Sequence, residues 1–369
     1  MSRIVKAILA ITATIGLIST GTVSAQAAAG TLTYSQFLSS PGYQVLSAET
    51  TATANFLATQ NGVRILNVSS GSMGGIELSH IELEMLSTAT ASSVTMTMSD
   101  TGQPVTEQIF SYADGYAYVP IENVVIWPEL KNGSAALTRL KKTPATSVRM
   151  TSAQAGSDYA EYTPSSILGG SPLNTLTTLS DTADTEDLSS LAGLVFTEVT
   201  SAANATDPLA TDYTFTATIP SSGVLPPTDI VFTSTFSQNH VLQLQRMSIA
   251  LLGMTVENVT TLQVTDQFTM PTALTANTVD WTALVAMGKR ISAEKALAGK
   301  AKAIAAKAAA LAKSAKKTLT GTQITAAAKA LKYAVTAIKN GVKLTTKYQG
   351  QSGSVCVTAV KGKTVTATC

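Results

Sequence analysis

Tyr112-Ala113-Asp114-Gly115-Tyr116-Ala117-Tyr118-Val119 is the stretch on which the fold class of this chain turns. Asp114-Gly115 is a strong signal for a two-residue hairpin turn, and larger residues alternate with alanine on its far side. With Gln108 to Phe110 leading in, the segment predicts two antiparallel strands. The same period of two recurs on both sides, as half-buried strands require. Val94-Thr95-Met96-Thr97-Met98 alternates and then meets the turn Asp100-Thr101-Gly102. Tyr213 to Ile219 sets Tyr213, Phe215, Ala217 and Ile219 against threonines, and Ile230 to Phe236 places Ile230, Phe232 and Ser234 on one face. Val241 to Ile249, Met254 to Leu262 and Val264 to Phe268 form a closing run of strands, with bends at Asn239-His240 and Leu252-Gly253.

Two stretches read as helical. Thr33 to Phe56 is divided by Pro41-Gly42, and Asp184 to Leu194 opens on acids suited to a helix N-terminus. Ser152 to Pro172 and Leu173 to Thr185 are rich in Ser, Thr, Gly and Pro and read as loops. The class is α+β, a predominantly antiparallel sheet with a few helices.

The order of these pieces resembles that of the actinobacterial LprG/LppX-type envelope proteins, structural relatives of the LolA-type lipoprotein carriers. The resemblance rests on the helical start, the Tyr112 to Tyr118 hairpin, the loop-and-helix stretch after it, and a meander ending Val-Thr-Asp-Gln-Phe-Thr-Met-Pro at Val264 to Pro271. It covers roughly Leu32 to Trp281. It implies a strongly curved antiparallel sheet, a half-barrel with helices on its concave face, enclosing an apolar cavity for acyl chains. The candidate lining residues are Met96, Met98, Tyr116, Tyr118, Phe215, Phe232, Phe236, Leu244, Met247 and Ile249. Each also serves as an ordinary core side chain in the competing reading. Methionine suits a cavity of irregular shape, being unbranched and adaptable. The chain departs from these relatives in lacking an N-terminal acylated Cys and in running some 80 residues past the β domain.

Met1 to about Ala27 reads as a cleavable signal peptide. Arg3 and Lys6 precede the apolar run Ile4 to Ile18, and both Val23-Ser24-Ala25 and Ala25-Gln26-Ala27 offer small residues for cleavage. The run is shorter than the roughly 20 residues a membrane-spanning helix needs, although a retained anchor is the alternative. The first cysteine is Cys356, so the mature N-terminus has no lipid-attachment Cys. The expected location is secreted, extracellular or associated with the cell wall, and the protein is not expected to be a lipoprotein.

Charge divides the chain. Between residues 27 and 288 seven basic residues stand against 22 acidic ones, a net of −15; from 289 to 369 there are 16 bases and one acid, Glu294, a net of +15. Such asymmetry marks two physically different parts. The basic part can dock on an acidic domain or reach an anionic cell-wall polymer or lipid head groups; no nucleic-acid recognition motif is present. Within it, Leu297, Ala301, Ile304, Ala308, Leu311 and Ala315 recur in steps of four and three, as do Ile324, Ala328, Leu331, Val335, Ile338 and Val342. These seams predict an antiparallel helical hairpin over 289–343, with helices from Ile291 to Lys317 and from Gln323 to about Lys339, stopped by Asn340-Gly341. A β-hairpin is expected over 344–369. Turning it at Gly362-Lys363 sets Cys356 directly opposite Cys369, at about 4.5 Å between Cα atoms, and predicts a disulfide. The organisation is thus a leader over 1–27, a β domain over 30–281, the helical hairpin and the C-terminal hairpin.

Catalytic chemistry finds little support. The only histidines are His80 and His240, and both read as surface or satisfied residues. Ser70-Gly71-Ser72-Met73-Gly74 lacks the spacing of a nucleophile elbow, and no phosphate-cradling loop, zinc motif or cofactor motif occurs. Glu82 and Glu84 share a face if their segment is a strand. The expectation is a non-enzymatic exported protein that binds an apolar ligand, an acylated lipid, in the cavity of the sheet. The rival is a structural or adhesive surface protein with a filled core and a basic attachment module.

Overall fold

The computed structural model describes residues 30–99, 104–124, 132–170, 194–221, 226–266 and 277–369. The expected signal peptide, the turn Asp100-Thr101-Gly102, the strand end after Asp266 and nearly all of the helix expected over Asp184 to Leu194 lie outside those residues. The chain forms two compact units, Met1–Asn123 with Arg149–Thr275, and Val124–Val148 with Ala276–Cys369.

In the first unit, α1 (Tyr34–Leu38) and α2 (Pro41–Leu57) fill the stretch read as helical. Thr33 and Gln36 form a capping box on α1, and Ser40 caps α2 ahead of Pro41 at a position where its missing N–H costs nothing. Then come β1 (Gly62–Met73), β2 (Ile76–Thr88), β3 (Ser92–Ser99), β4 (Val105–Ala113) and β5 (Tyr116–Pro120). The β4–β5 turn is Asp114-Gly115, both with positive φ as a type I′ turn demands. After α3 (Gly133–Leu140), which belongs to the second unit, the chain returns through β6 (Ser147–Met150). Three short helices follow, α4 (Ser152–Ala155), α5 (Ser157–Ala160) and α6 (Pro164–Leu168), in part of the stretch expected to be loop. The meander is β7 (Val195–Phe196), β8 (Thr200–Ala203), β9 (Thr211–Ile219), β10 (Thr228–Phe236), β11 (Leu242–Leu251) and β12 (Met254–Val264). Met254 to Val264 is one continuous strand, where the sequence reading broke it at Gln263.

The sheet is large, curved and unclosed. Its order is β6-β5-β4-β3-β2-β1-β12-β11-β10-β9-β7, with β8 also paired to β9 and the pairing antiparallel from β5 through to β7. At its centre β12 returns to pair with β1, joining Val63↔Val264 to Met73↔Met254. Inner-face residues follow from this register: Val63, Ile65, Asn67, Ser69 and Gly71 on β1, continued by Ile81, Leu83 and Met85 on β2 and by Val256, Asn258, Thr260 and Leu262 on β12.

In the second unit, β13 (Thr278–Asp280) leads into α7 (Trp281–Ser314), then α8 (Gly321–Ala330), β14 (Thr336–Ile338), β15 (Gly341–Tyr348), β16 (Gln351–Val360) and β17 (Lys363–Thr368). The first helix starts ten residues before the expected Ile291. The second stops at Ala330, not near Lys339, and Lys332 takes the left-handed position at its end. Ile338 therefore lies in a strand of the sheet β14-β15-β16-β17 and Val335 in the link just before β14, and neither continues a helical seam. Their β-branched side chains favour a strand, and a run this short fits both periods. One core joins the layers: Leu297, Ala301, Ile304 and Ala308 of α7 meet Ile324 and Ala328 of α8 and Val342, Leu344, Val355 and Val357 of the sheet. Gly353 permits this closeness, since a Cβ there would lie 2.6 Å from that of Ala293. Glu294, almost fully buried on α7, is held by Arg139 of α3 at 2.7 Å and Arg290 at 3.2 Å.

Cys356 and Cys369 are bonded, 5.5 Å apart at Cα. The turn between their strands is Lys361-Gly362, both with positive φ, so Val360 pairs with Lys363 and Cys356 faces Ala367. The expected Gly362-Lys363 turn and the direct Cys356–Cys369 pairing are corrected accordingly. The bridge runs diagonally, from Cys356 to a residue two places beyond its partner. A type I′ loop, whose twist matches that of the strands, accounts for the shift.

Candidate ligand-binding face

The inner face of the first unit's sheet carries two packed clusters with a looser band between them. At one end Phe37 of α1 stacks on Phe196 at 4.6 Å and meets Phe215 at 4.8 Å, and Phe215 stacks on Phe232 at 4.7 Å. Tyr43 of α2 joins them, 4.8 Å from Phe37. Helix α2 is tied to the sheet through Thr53, whose hydroxyl accepts the Leu242 N–H at 2.9 Å. At the other end Phe110 stacks on Tyr159 at 5.5 Å and lies 6.0 Å from Tyr162, while Ser92 donates to the Tyr162 carbonyl at 2.6 Å.

Between these clusters lie Ile81 and Leu83 of β2, Val256 of β12, Met247 of β11 and Met98 of β3, all half-buried, in contrast with the fully buried Val63, Ile65 and Val94. Asn67, Ser69, Asn258 and Thr260 share the band and bond one another. The band runs toward the tips of the β1–β2 and β11–β12 hairpins, where the Gly74 N–H approaches the Gly253 carbonyl at 3.4 Å. Met73, Ile76, Leu78 and Leu252 stand exposed there.

The ten predicted lining residues distribute unevenly. Met96, Met98, Phe215, Phe232, Phe236, Met247 and Ile249 lie on the inner face by register. Met96, Phe215, Phe236 and Ile249 are buried; Met98, Phe232 and Met247 are half-buried. Leu244 lies on the other face, because a bulge in β11 turns Leu242 inward and puts Leu244 beside Thr235 and Thr261. Tyr116 and Tyr118 also face the other side, alternating with Ala117, which lies opposite Tyr112. The Arg149 guanidinium sits 4.7 Å over the Tyr116 ring. A groove of about 300 Å³ opens elsewhere on the rim, beside Phe56, Asn239, Val241 and Gln243. None of the ten residues borders it, though Leu242, Leu262 and Val264 among its lining belong to the inner face.

The sequence reading passed over Ile81, Leu83, Val256 and the polar residues among them. The alternation of Ile81, Leu83 and Met85 with Glu82 and Glu84 was the signal that finds the first two. The opposite face of β2 is charged: His80 lies 2.9 Å from both Glu77 and Glu82, and Arg64 lies 2.6 Å from Glu84. These carboxylates, Glu82 first as acceptor of a ring N–H, raise the His80 pKa above 6.5 against the opposing effect of partial burial. His240, at its turn, pairs with Glu49 at 2.7 Å. Among the described residues no group of three or more His, Cys, Asp or Glu is placed to hold a metal ion, and no helix is long and apolar enough to cross a membrane.

No family model matches the chain, and no curated protein matches it. Among solved structures it is similar to the Mycobacterium tuberculosis lipoprotein LppX, at 14% identity over 62% of this chain and 98% of that one, with a TM-score of 0.25. It is also similar to a LolA superfamily protein from Nitrosomonas europaea and to a DUF1329 family protein from Desulfovibrio piger. Each of these is 8% identical over 60% of this chain and 94% of the other, with a TM-score of 0.20. The likeness is one of fold at low scores, and what the chain does rests on its own residues.

Proposed function

We propose that this chain is an exported, envelope-associated binding protein that holds an apolar ligand, an acylated lipid, on the inner face of its curved sheet and performs no chemistry on it. The observation that carries this reading is the half-buried band of Ile81, Leu83, Met98, Met247 and Val256 between two packed aromatic clusters. A sheet face covered at both ends normally buries its middle as well, since apolar area removed from water stabilises by about 25 cal/mol per Å². Side chains left half-covered in that position gain most from a ligand laid across them. The exposed Met73, Ile76 and Leu252 at the hairpin tips give an acyl chain an apolar approach. Export rests on the basic, apolar and small-residue order of residues 1–27.

The test is binding of an environment-sensitive apolar dye, N-phenylnaphthylamine, to the full chain after removal of lipid. The reading expects saturable fluorescence enhancement, displaced by envelope lipid extract and reduced about tenfold in affinity by Met247→Trp, which fills the band. Absence of saturable binding in the folded protein contradicts it.

A second reading, a structural or adhesive surface protein, is favoured by the ring contacts of Phe37, Phe196, Phe215 and Phe232, which fill their end of the face. Under either reading the exposed lysines of the second unit, Lys295, Lys300, Lys302, Lys307 and Lys313 among them, suit an anionic cell-wall polymer or lipid head groups.

A further inference from the structure

The half-buried band is not uniformly apolar. Across β1, β12 and β11 two neighbouring rows of the inner face carry amides and hydroxyls: Asn67, Thr260 and Gln245 in one, Ser69, Asn258 and Met247 in the other. The asparagines lock together. Asn67 Nδ2 donates to Asn258 Oδ1 at 3.0 Å and to Thr260 Oγ1 at 2.7 Å; Asn258 Nδ2 donates to Asn67 Oδ1 at 3.1 Å and to Ser69 Oγ at 2.7 Å. Both amide nitrogens are thereby satisfied. Gln245 differs. It is only 9% exposed, it lies between Thr260 and Ser234 in the register, and its Nε2 is buried without a hydrogen-bond partner. A buried donor without a partner destabilises the free face, so a group that accepts its hydrogen relieves that cost on binding.

The electrostatics of the face narrow the acceptor. Among the described inner-face positions of β1 to β4 and β9 to β12, Glu107 is the one Asp, Glu, Lys, Arg or His side chain. Arg64 and Arg246 lie on the opposite face, paired with Glu84 and Glu257. A carboxylate or phosphate buried here meets no cation among the described inner-face residues, and it would lose its hydration without compensation. A neutral carbonyl oxygen meets the open donor at no such cost.

Building on the apolar-ligand reading, we propose that Gln245, backed by the Asn67–Asn258 pair, is a polar subsite that donates a hydrogen bond to an uncharged ester or amide carbonyl of the ligand. The ligand class is therefore a neutral acyl ester or amide, whose linkage sits at the centre of the sheet while its chains lie on Ile81, Leu83 and Met247. Free fatty acids, and lipids whose phosphate would reach this depth, are selected against.

The test titrates the delipidated full chain with three probes of matched length, methyl palmitate, palmitate and hexadecane. The wild type is expected to bind methyl palmitate about tenfold more tightly than hexadecane, the equivalent of one hydrogen bond of about 1.4 kcal/mol, with palmitate weaker than the ester. Gln245→Leu is expected to abolish the ester preference while leaving hexadecane unchanged. A second readout needs no variant: the carbonyl stretch of bound carbon-13-labelled methyl palmitate moves to lower wavenumber if it accepts a hydrogen bond. Equal affinity for ester and hydrocarbon, or a carbonyl stretch like that in hexane, overturns the subsite and leaves the apolar-ligand reading standing. Failure of all three probes to bind removes that reading, and the subsite with it.

Discussion

His80 shows how a side chain outside the ligand face reports on the fold. Glu82 and Glu77 stabilise its charged form, so its pKa in the folded protein lies above the ordinary 6.5. A raised folded-state pKa contributes stability that is complete below the unfolded value and is lost as pH rises through the folded one. Urea unfolding of the wild type and of His80→Gln should therefore differ most near about pH 5.5 and converge near about pH 8.5. A gap that widens with rising pH contradicts this pairing. At this scale the sequence was partly legible. Phe215, Phe232 and Met247 are on the inner face because alternation in β9 to β11 was plain. Leu244 was misplaced because a single bulge residue, Gln243, inverts the face that parity assigns. The amide cluster was unreadable, since Asn67 and Asn258 lie 191 residues apart and only strand pairing brings them together.

Among the elements, β1 was the hardest to see, for a physical reason. Its inner face changes from Val63 and Ile65 to Asn67, Ser69 and Gly71, so the residues that build the polar subsite also erase the apolar alternation that marks a strand. The Asp114-Gly115 hairpin, by contrast, was fixed by a dipeptide, and the structure has the turn there. The division of the helical start at Pro41-Gly42 was legible too, although α2 begins at Pro41 itself, capped by Ser40. The second unit was legible in its first helix, whose pattern runs for many turns, and misread after Ala330, where three positions fitted both periods. Its last strand, β17, is mostly exposed and is held by its ladder to β16 and by the Cys356–Cys369 bridge. Replacing both cysteines with alanine should cost up to about 3 kcal/mol. Hydrogen exchange should then accelerate in Lys363–Thr368 while the core-facing Val342 and Leu344 of β15 stay protected. Equal loss of protection throughout the unit would mean that the bridge supports the core and not the edge strand alone.

On the scale of the whole molecule, an acidic β unit and a basic unit share one chain, and their compositions were separable from charge alone. The boundary was less so: Val124–Val148, inside the range assigned to the β domain, packs with the second unit through α3 and the Arg139–Glu294 pair. That association joins residues 155 apart and leaves no local signal. Ligand holding as proposed above belongs to this scale as well, because it needs the two aromatic clusters, the half-buried band between them and the hairpin tips at once. Native mass spectrometry of the chain, purified from the cells that make it without detergent exchange, is the direct test. A second mass peak is expected, in near-stoichiometric amount, that solvent extraction identifies as a neutral acylated species. A single bare mass that persists after incubation with envelope lipids would contradict it.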